Sequence, residues 1–153
     1  MMVNLAPVRP GRSVNACRFA RLMEVYEQNY IRLRNIVPDL NLADEMVSTV
    51  PDHQDLYLSV TQRCKYTTMM RMTYQFEENG QVLLEPDLHL KMYHDARAVE
   101  VQQFYSRSQG PLYMAGMIEQ KWTMNRFLYK WLGYCLYQGH YFQPMRNLKA
   151  GTN

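Results

Sequence analysis

A chain of 153 residues, 47% of them hydrophobic, has the length of one domain and enough apolar surface to build a core without a metal or a disulfide framework. No 18 apolar residues run together, which excludes a membrane-spanning helix, and a formal net charge of +3 excludes a strongly polycationic chain. The three cysteines, Cys17, Cys64 and Cys135, are widely spaced and form no CxxC pair, so they predict reduced thiols in a reducing, cytoplasmic compartment rather than a zinc or redox motif.

Residues 1–16 hold Pro7, Pro10 and Gly11 and show no periodicity, which predicts a flexible arm. Pro7, Arg9, Pro10 and Arg12 also interrupt any apolar stretch of secretory length. Residues 1–34 contain six Arg and two Glu, a net of +4, so the rest of the chain sums to −1. The arm is therefore basic, but its Arg are sparse beside true polybasic arms, and a solvated tail is expected rather than a nucleic-acid or membrane contact.

From Phe19 the apolar period becomes helical, through Leu22, Met23, Tyr26, Tyr30, Leu33 and Val37, and Pro38 ends the helix. A connection follows, with a short strand expected at Met46–Val50. The period then becomes two. Leu56, Leu58 and Val60, then Met70, Met72, Tyr74 and Phe76, then Leu88, Leu90 and Met92, then Val99 and Val101 all alternate with more polar neighbours. This predicts an antiparallel β-meander of four to five strands with one apolar face. Turns fall at Arg63–Lys65, Asn79–Gly80 and Asp95–Arg97, and Pro86 is expected at the start of its strand.

Gly110–Pro111 reads as a break. A second helix is expected from Met117 to Gln138, with Ile118, Trp122, Asn125, Leu128, Trp131, Leu132 and Cys135 on one stripe and Gly139 as its stop. Residues 144–153 read as a flexible tail. The expected fold is a single α+β domain over residues 17–143, its one bare sheet face covered by the N-terminal and C-terminal helices.

Several of these residues resemble the YqiB-like family of proteobacterial proteins, a domain of unknown function. The likeness enters at Glu27, Asn29–Tyr30, Leu33–Arg34 and Ile36–Val37–Pro38, and continues at Tyr66–Thr67–Thr68. Its most specific part is Leu84, Pro86 and Leu88 running into Met92–Tyr93–His94–Asp95–Ala96, then Val99–Glu100–Val101. It closes on Lys121, Asn125, Phe127–Leu128, Trp131–Leu132, Tyr134–Cys135–Leu136 and Gly139, covering roughly residues 20–142. The resemblance implies a small cytosolic protein with no assigned activity. It also implies a neighbourhood of nucleotide-hydrolysing enzymes, which hints at nucleotide metabolism.

The residues themselves offer two candidate constellations. His94 with Asp95, Tyr93 and Glu100 has the groups that general acid–base work requires, and Tyr66 and Arg71 complete a polar ligand site. Adjacent strand residues diverge, however, so His94 is expected to cap the edge of the core, hydrogen-bonded to a helix. The polar sheet face, with His89, Lys91, Arg71, Thr67 and Thr73, is expected to face solvent; it lacks the aromatic-glycine signature of RNA-binding sheets. No histidine pair has a zinc spacing and no Gly-rich phosphate loop exists, so no metal or cofactor is expected.

The second constellation is the aromatic helix. Trp122, Phe127, Trp131 and Tyr134 are more ring surface than one sheet face needs, which points to a homodimer or protein-partner interface. Asn125 inside the stripe needs a partner, either His94 or Asn29. The favoured function is a non-enzymatic binding or adaptor module with neither nucleic-acid nor membrane partners. The alternative is a nucleotide-like small-anion site, or a weak enzyme, at the Tyr-His-Asp turn.

Overall fold

Strand alternation and two helical stripes resolve into one sheet and two helices in a computed structural model of the chain. The structure describes residues 10–106, 110–113 and 118–143. Helix α1 (Pro10–Ile36) leads into strands β1 (Glu45–Ser48), β2 (Asp55–Arg63), β3 (Thr67–Glu78), β4 (Gln81–Tyr93), β5 (Ala98–Ser106) and β6 (Gly110–Tyr113), and helix α2 (Ile118–Gln138) closes the chain. The strands form one antiparallel sheet in sequence order, a six-stranded meander. The α+β class is as expected, with one strand more than the expected four to five.

The alternating residues define the buried face. Leu56, Leu58, Met70, Met72, Leu88, Leu90, Met92, Val99 and Val101 are all buried in one cluster. Onto it pack Leu33 and Ile36 of α1 and Leu128, Trp131, Leu132 and Cys135 of α2. Helix α1 meets the sheet along β5, where Leu22 and Tyr26 form a second small cluster with Ala98. The Asn79–Gly80 hairpin has both residues at positive φ, as a two-residue turn matched to strand twist requires.

Four local expectations change. Helix α1 begins at Pro10, so the latter part of the expected arm is helical backbone; proline fits a first helical turn, where its missing N–H costs nothing. Phe19 is exposed, because α1 projects past the sheet there, and the buried stripe starts at Leu22. Pro86 lies inside β4 at a register shift against β3, and β4 pairs with β5 only from Asp87 onward. Gly110–Pro111 opens β6 instead of breaking the chain, because an edge strand tolerates proline. The expected tail, residues 144–153, and residues 1–9 of the arm lie outside the described residues.

Trp131 is 6% exposed and its ring meets Tyr74 edge-on at 5.3 Å. Trp131→Ala should therefore cost about 3–5 kcal/mol, through lost transfer energy and the cavity left behind. Urea unfolding of the two chains measures it; a loss under about 1 kcal/mol would mean the ring is not a core residue.

Candidate functional site

The β4–β5 turn carries the first candidate constellation, and the structure places its members in separate local networks. His94 is half-buried at the end of β4. Its Nε2 lies 2.7 Å from Thr68 Oγ1 on β3, and its N–H donates to the Tyr66 carbonyl at 2.9 Å. The ring thus ties two strands together, and its partner is a strand residue instead of the expected helix. Asp95 is exposed in the turn, and Tyr66 is exposed beside Lys65, whose Nζ lies 5.2 Å from the ring centroid.

Tyr93 and Glu100 form a second network. Tyr93 OH donates to Glu100 Oε1 at 2.5 Å, and Gln102 Nε2 donates to the same oxygen at 3.0 Å. Tyr26 of α1 adds a second phenol to this carboxylate. Burial, then Glu100 itself, pushes both tyrosines well above the usual phenol range, so they act here as fixed hydrogen-bond donors.

Arg71 belongs elsewhere. Its Nε and Nη2 pair with the two Asp87 oxygens at 2.7 and 2.6 Å, and this hydrogen bonding raises its pKa further. Thr67 is the β3 residue opposite Tyr93, so Arg71, four residues further along, lies roughly 13 Å from the turn. Thr73, expected on the polar face, is buried at the bulge and donates to the Tyr74 carbonyl at 3.1 Å.

The aromatic helix divides by face. Trp131 is in the core, so of the four expected interface residues it is not on a surface. Trp122 is half-buried against Leu22 and Tyr26. Phe127 is 36% exposed and stands edge-on to Phe104 at 4.6 Å, while Tyr134 is 47% exposed and Tyr137 87%. The Asn125 side chain pairs with backbone instead of with His94, and Asn29 reaches only its backbone carbonyl. Asn125 Oδ1 accepts from the Val101 N–H at 2.8 Å, its Nδ2 donates to the Lys121 carbonyl, and its own carbonyl accepts from Asn29 Nδ2 at 3.3 Å.

All three cysteines are free, with Cys17 and Cys64 exposed. Cys135 is buried and donates to Tyr74 OH at 3.3 Å; burial pushes its thiol up to about 12, which makes it an inert core group. Among the described residues no group of three His, Cys, Asp or Glu stands close enough to hold a metal, and no helix is long and apolar enough to cross a membrane.

A family model described as "Protein of unknown function (DUF1249)" matches residues 32–141. The chain belongs to this family. The uncharacterised protein YqiB of Escherichia coli K12 is 29% identical over 127 residues, which span 79% of this chain and 90% of that protein. YqiB of Escherichia coli O157:H7 matches to the same extent. No solved structure matches.

Sequence reasoning passed over His140, which read as part of a connection. It is 2% exposed, its Nδ1 lies 2.9 Å from Ser48 Oγ of β1, and the same hydroxyl accepts the Tyr141 N–H at 3.0 Å. Buried Phe142 follows, its N–H donating to the Ile36 carbonyl at 2.9 Å. A histidine just after a helix stop leaves no periodic signal; only the aromatic pair Tyr141–Phe142 hinted at burial. Desolvation, then nearby His53, lowers the His140 pKa below the usual 6.5. The unfolded chain therefore takes up a proton near pH 6.5 that the folded state resists, and stability present above that pH is lost as pH falls below it. Urea midpoints measured at neutral and mildly acidic pH should show this slope, and His140→Gln should flatten it. An unchanged slope in the variant would remove His140 as its source.

Proposed function

We propose that this protein is a non-catalytic interaction module that pairs with a second copy of itself through the exposed shoulder of α2. The observation that carries this is the stripe Phe127, Lys130, Tyr134 and Tyr137, continued by Tyr141 beyond the helix stop, all of them exposed. Aromatic rings presented to water in a row are costly on a lone chain and are the residues that dominate interface energetics.

The stripe is self-complementary. Two antiparallel α2 helices related by a two-fold axis at Tyr134 bring Tyr134 onto its own copy. Lys130 then falls near the copy's Tyr137, a cation–π pairing. A cytoplasmic setting suits the two exposed thiols, Cys17 and Cys64.

A ligand site at the Tyr93–His94–Asp95 turn has less behind it. His94 is bonded to Thr68, Tyr93 to Glu100 and Arg71 to Asp87, so these groups serve the fold first.

Sedimentation equilibrium at micromolar concentration should show a dimer. Tyr134→Ala combined with Tyr137→Ala should return it to monomer while leaving the unfolding free energy of the monomer within about 0.5 kcal/mol. A monomer at all concentrations, or a dimer indifferent to both substitutions, overturns the proposal.

A further inference from the structure

Trp122 lies on the other shoulder of α2, at the seam with the N-terminal half of α1. Two clefts flank it there, of about 290 and 380 Å³. Trp122 and Arg21 line both, so the two clefts adjoin along the α1–α2 seam. Arg18 adds a second guanidinium to the first cleft, held 2.9 Å from Glu119 in an exposed ion pair. Such a pair is weak and exchanges readily for a better anion. Arg21 is exposed and makes no ion pair with a described residue. The second cleft carries Glu24, Gln28 and Arg126, the last with its guanidinium 5.7 Å from the Trp122 ring centroid.

We propose that this groove binds a nucleoside phosphate, with the phosphate between Arg18 and Arg21 and the base against Trp122, displacing the Arg126 guanidinium that now stands over the indole. Guanidinium forks match phosphate oxygens, and an indole face accepts any base. Each cleft by itself is near the lower end of small-ligand site volumes. Glu24 is what narrows the class. A carboxylate beside the ring repels a bare polyanion and accepts hydrogen bonds from ribose hydroxyls or an exocyclic amine. The groove therefore suits a nucleoside phosphate better than inorganic phosphate or a nucleic-acid strand. It lies in the N-terminal half of α2, around Trp122, and the Tyr134 stripe runs through the C-terminal half.

Calorimetric titration with ADP tests it on the whole chain, with inorganic phosphate and a short single-stranded oligonucleotide as parallel arms. ADP should bind saturably and quench tryptophan fluorescence. Arg21→Ala, an exposed change that leaves the packing intact, should weaken ADP roughly tenfold or more. Trp122→Phe should abolish the quench, since Trp131 is sealed in the core; circular dichroism confirms that each variant is folded. The absence of saturable binding by ADP and GDP up to millimolar concentration overturns the proposal. Undiminished ADP affinity in Arg21→Ala overturns the site. Phosphate or the oligonucleotide binding as tightly as ADP overturns the ligand class.

Discussion

Two buried amides, Asn125 of α2 and Asn29 of α1, tie together three elements that meet largely through apolar surface. On its outer edge β5 has no partner strand until Gln103, where β6 begins to pair. Within that stretch the Val101 N–H leaves the ladder and donates to Asn125 Oδ1. The same residue accepts from Asn29 of α1 through its backbone carbonyl. A helix stripe of Leu, Trp and Cys slides along a sheet with little change in buried area. An amide in that stripe does not, because a shift leaves a buried N–H unpaired at about 1–3 kcal/mol. Asn125 therefore fixes where α2 sits along β5, and Asn29, donating to the Asn125 backbone carbonyl, fixes where α1 sits along α2.

The helix pair has a second constraint further along. Arg32 of α1 lies 3.6 Å from the centroid of the Tyr129 ring and donates to the Tyr129 carbonyl at 2.8 Å. Gly133 makes room for it: a Cβ there would come within 2.2 Å of the guanidinium. A glycine inside a helix costs about 1 kcal/mol against alanine. That cost is offset by a cation seated on a ring and a carbonyl at once. With Asn125 at one level and Arg32 at another, the crossing of α1 and α2 is set at two points, and the clefts at Trp122 run along the same seam as far as Tyr129.

The buried sheet face was legible because every residue on it obeys one rule. Leu56, Leu58, Met70, Met72, Leu90 and Val101 alternate with polar neighbours, and a period of two means one buried face whatever the turns do. The Asn79–Gly80 turn was legible for a similar reason, since positive φ at two successive positions calls for those residues. The misreadings share a cause as well. Pro10, Pro86 and Pro111 each read as a boundary in the sequence. Proline removes an N–H and crowds the residue before it, and a first helical turn, a bulge and an edge strand tolerate both. The candidate site at Tyr93–His94–Asp95 was legible as chemistry and not as geometry. Residue types announce what a group can do, while Thr68, Asp87 and Glu100, which occupy those groups, lie on strands brought together only by pairing. His140 and the Arg21–Trp122 groove had no periodic signature, because they arise where separate elements meet.

The surplus of aromatic residues in α2 resolves into three faces of one helix. Trp131 is needed as volume, wedged against Tyr74 beneath β3. Trp122 is half-buried where α1 stops following the sheet, so one part of its ring finishes a small cluster and another part lines open space. Phe127, Tyr134 and Tyr137 do neither. Phe127 only touches Phe104 at the sheet's margin, Tyr134 leans edge-on toward Tyr74 at 6.3 Å, and Tyr137 is almost wholly in water. Stability of a lone chain accounts for the first face and part of the second. It gives no reason for the third, since truncating an exposed ring leaves the fold nearly unchanged. The dimer proposed above would give them one, with Tyr134 at the axis and Lys130 near the copy's Tyr137.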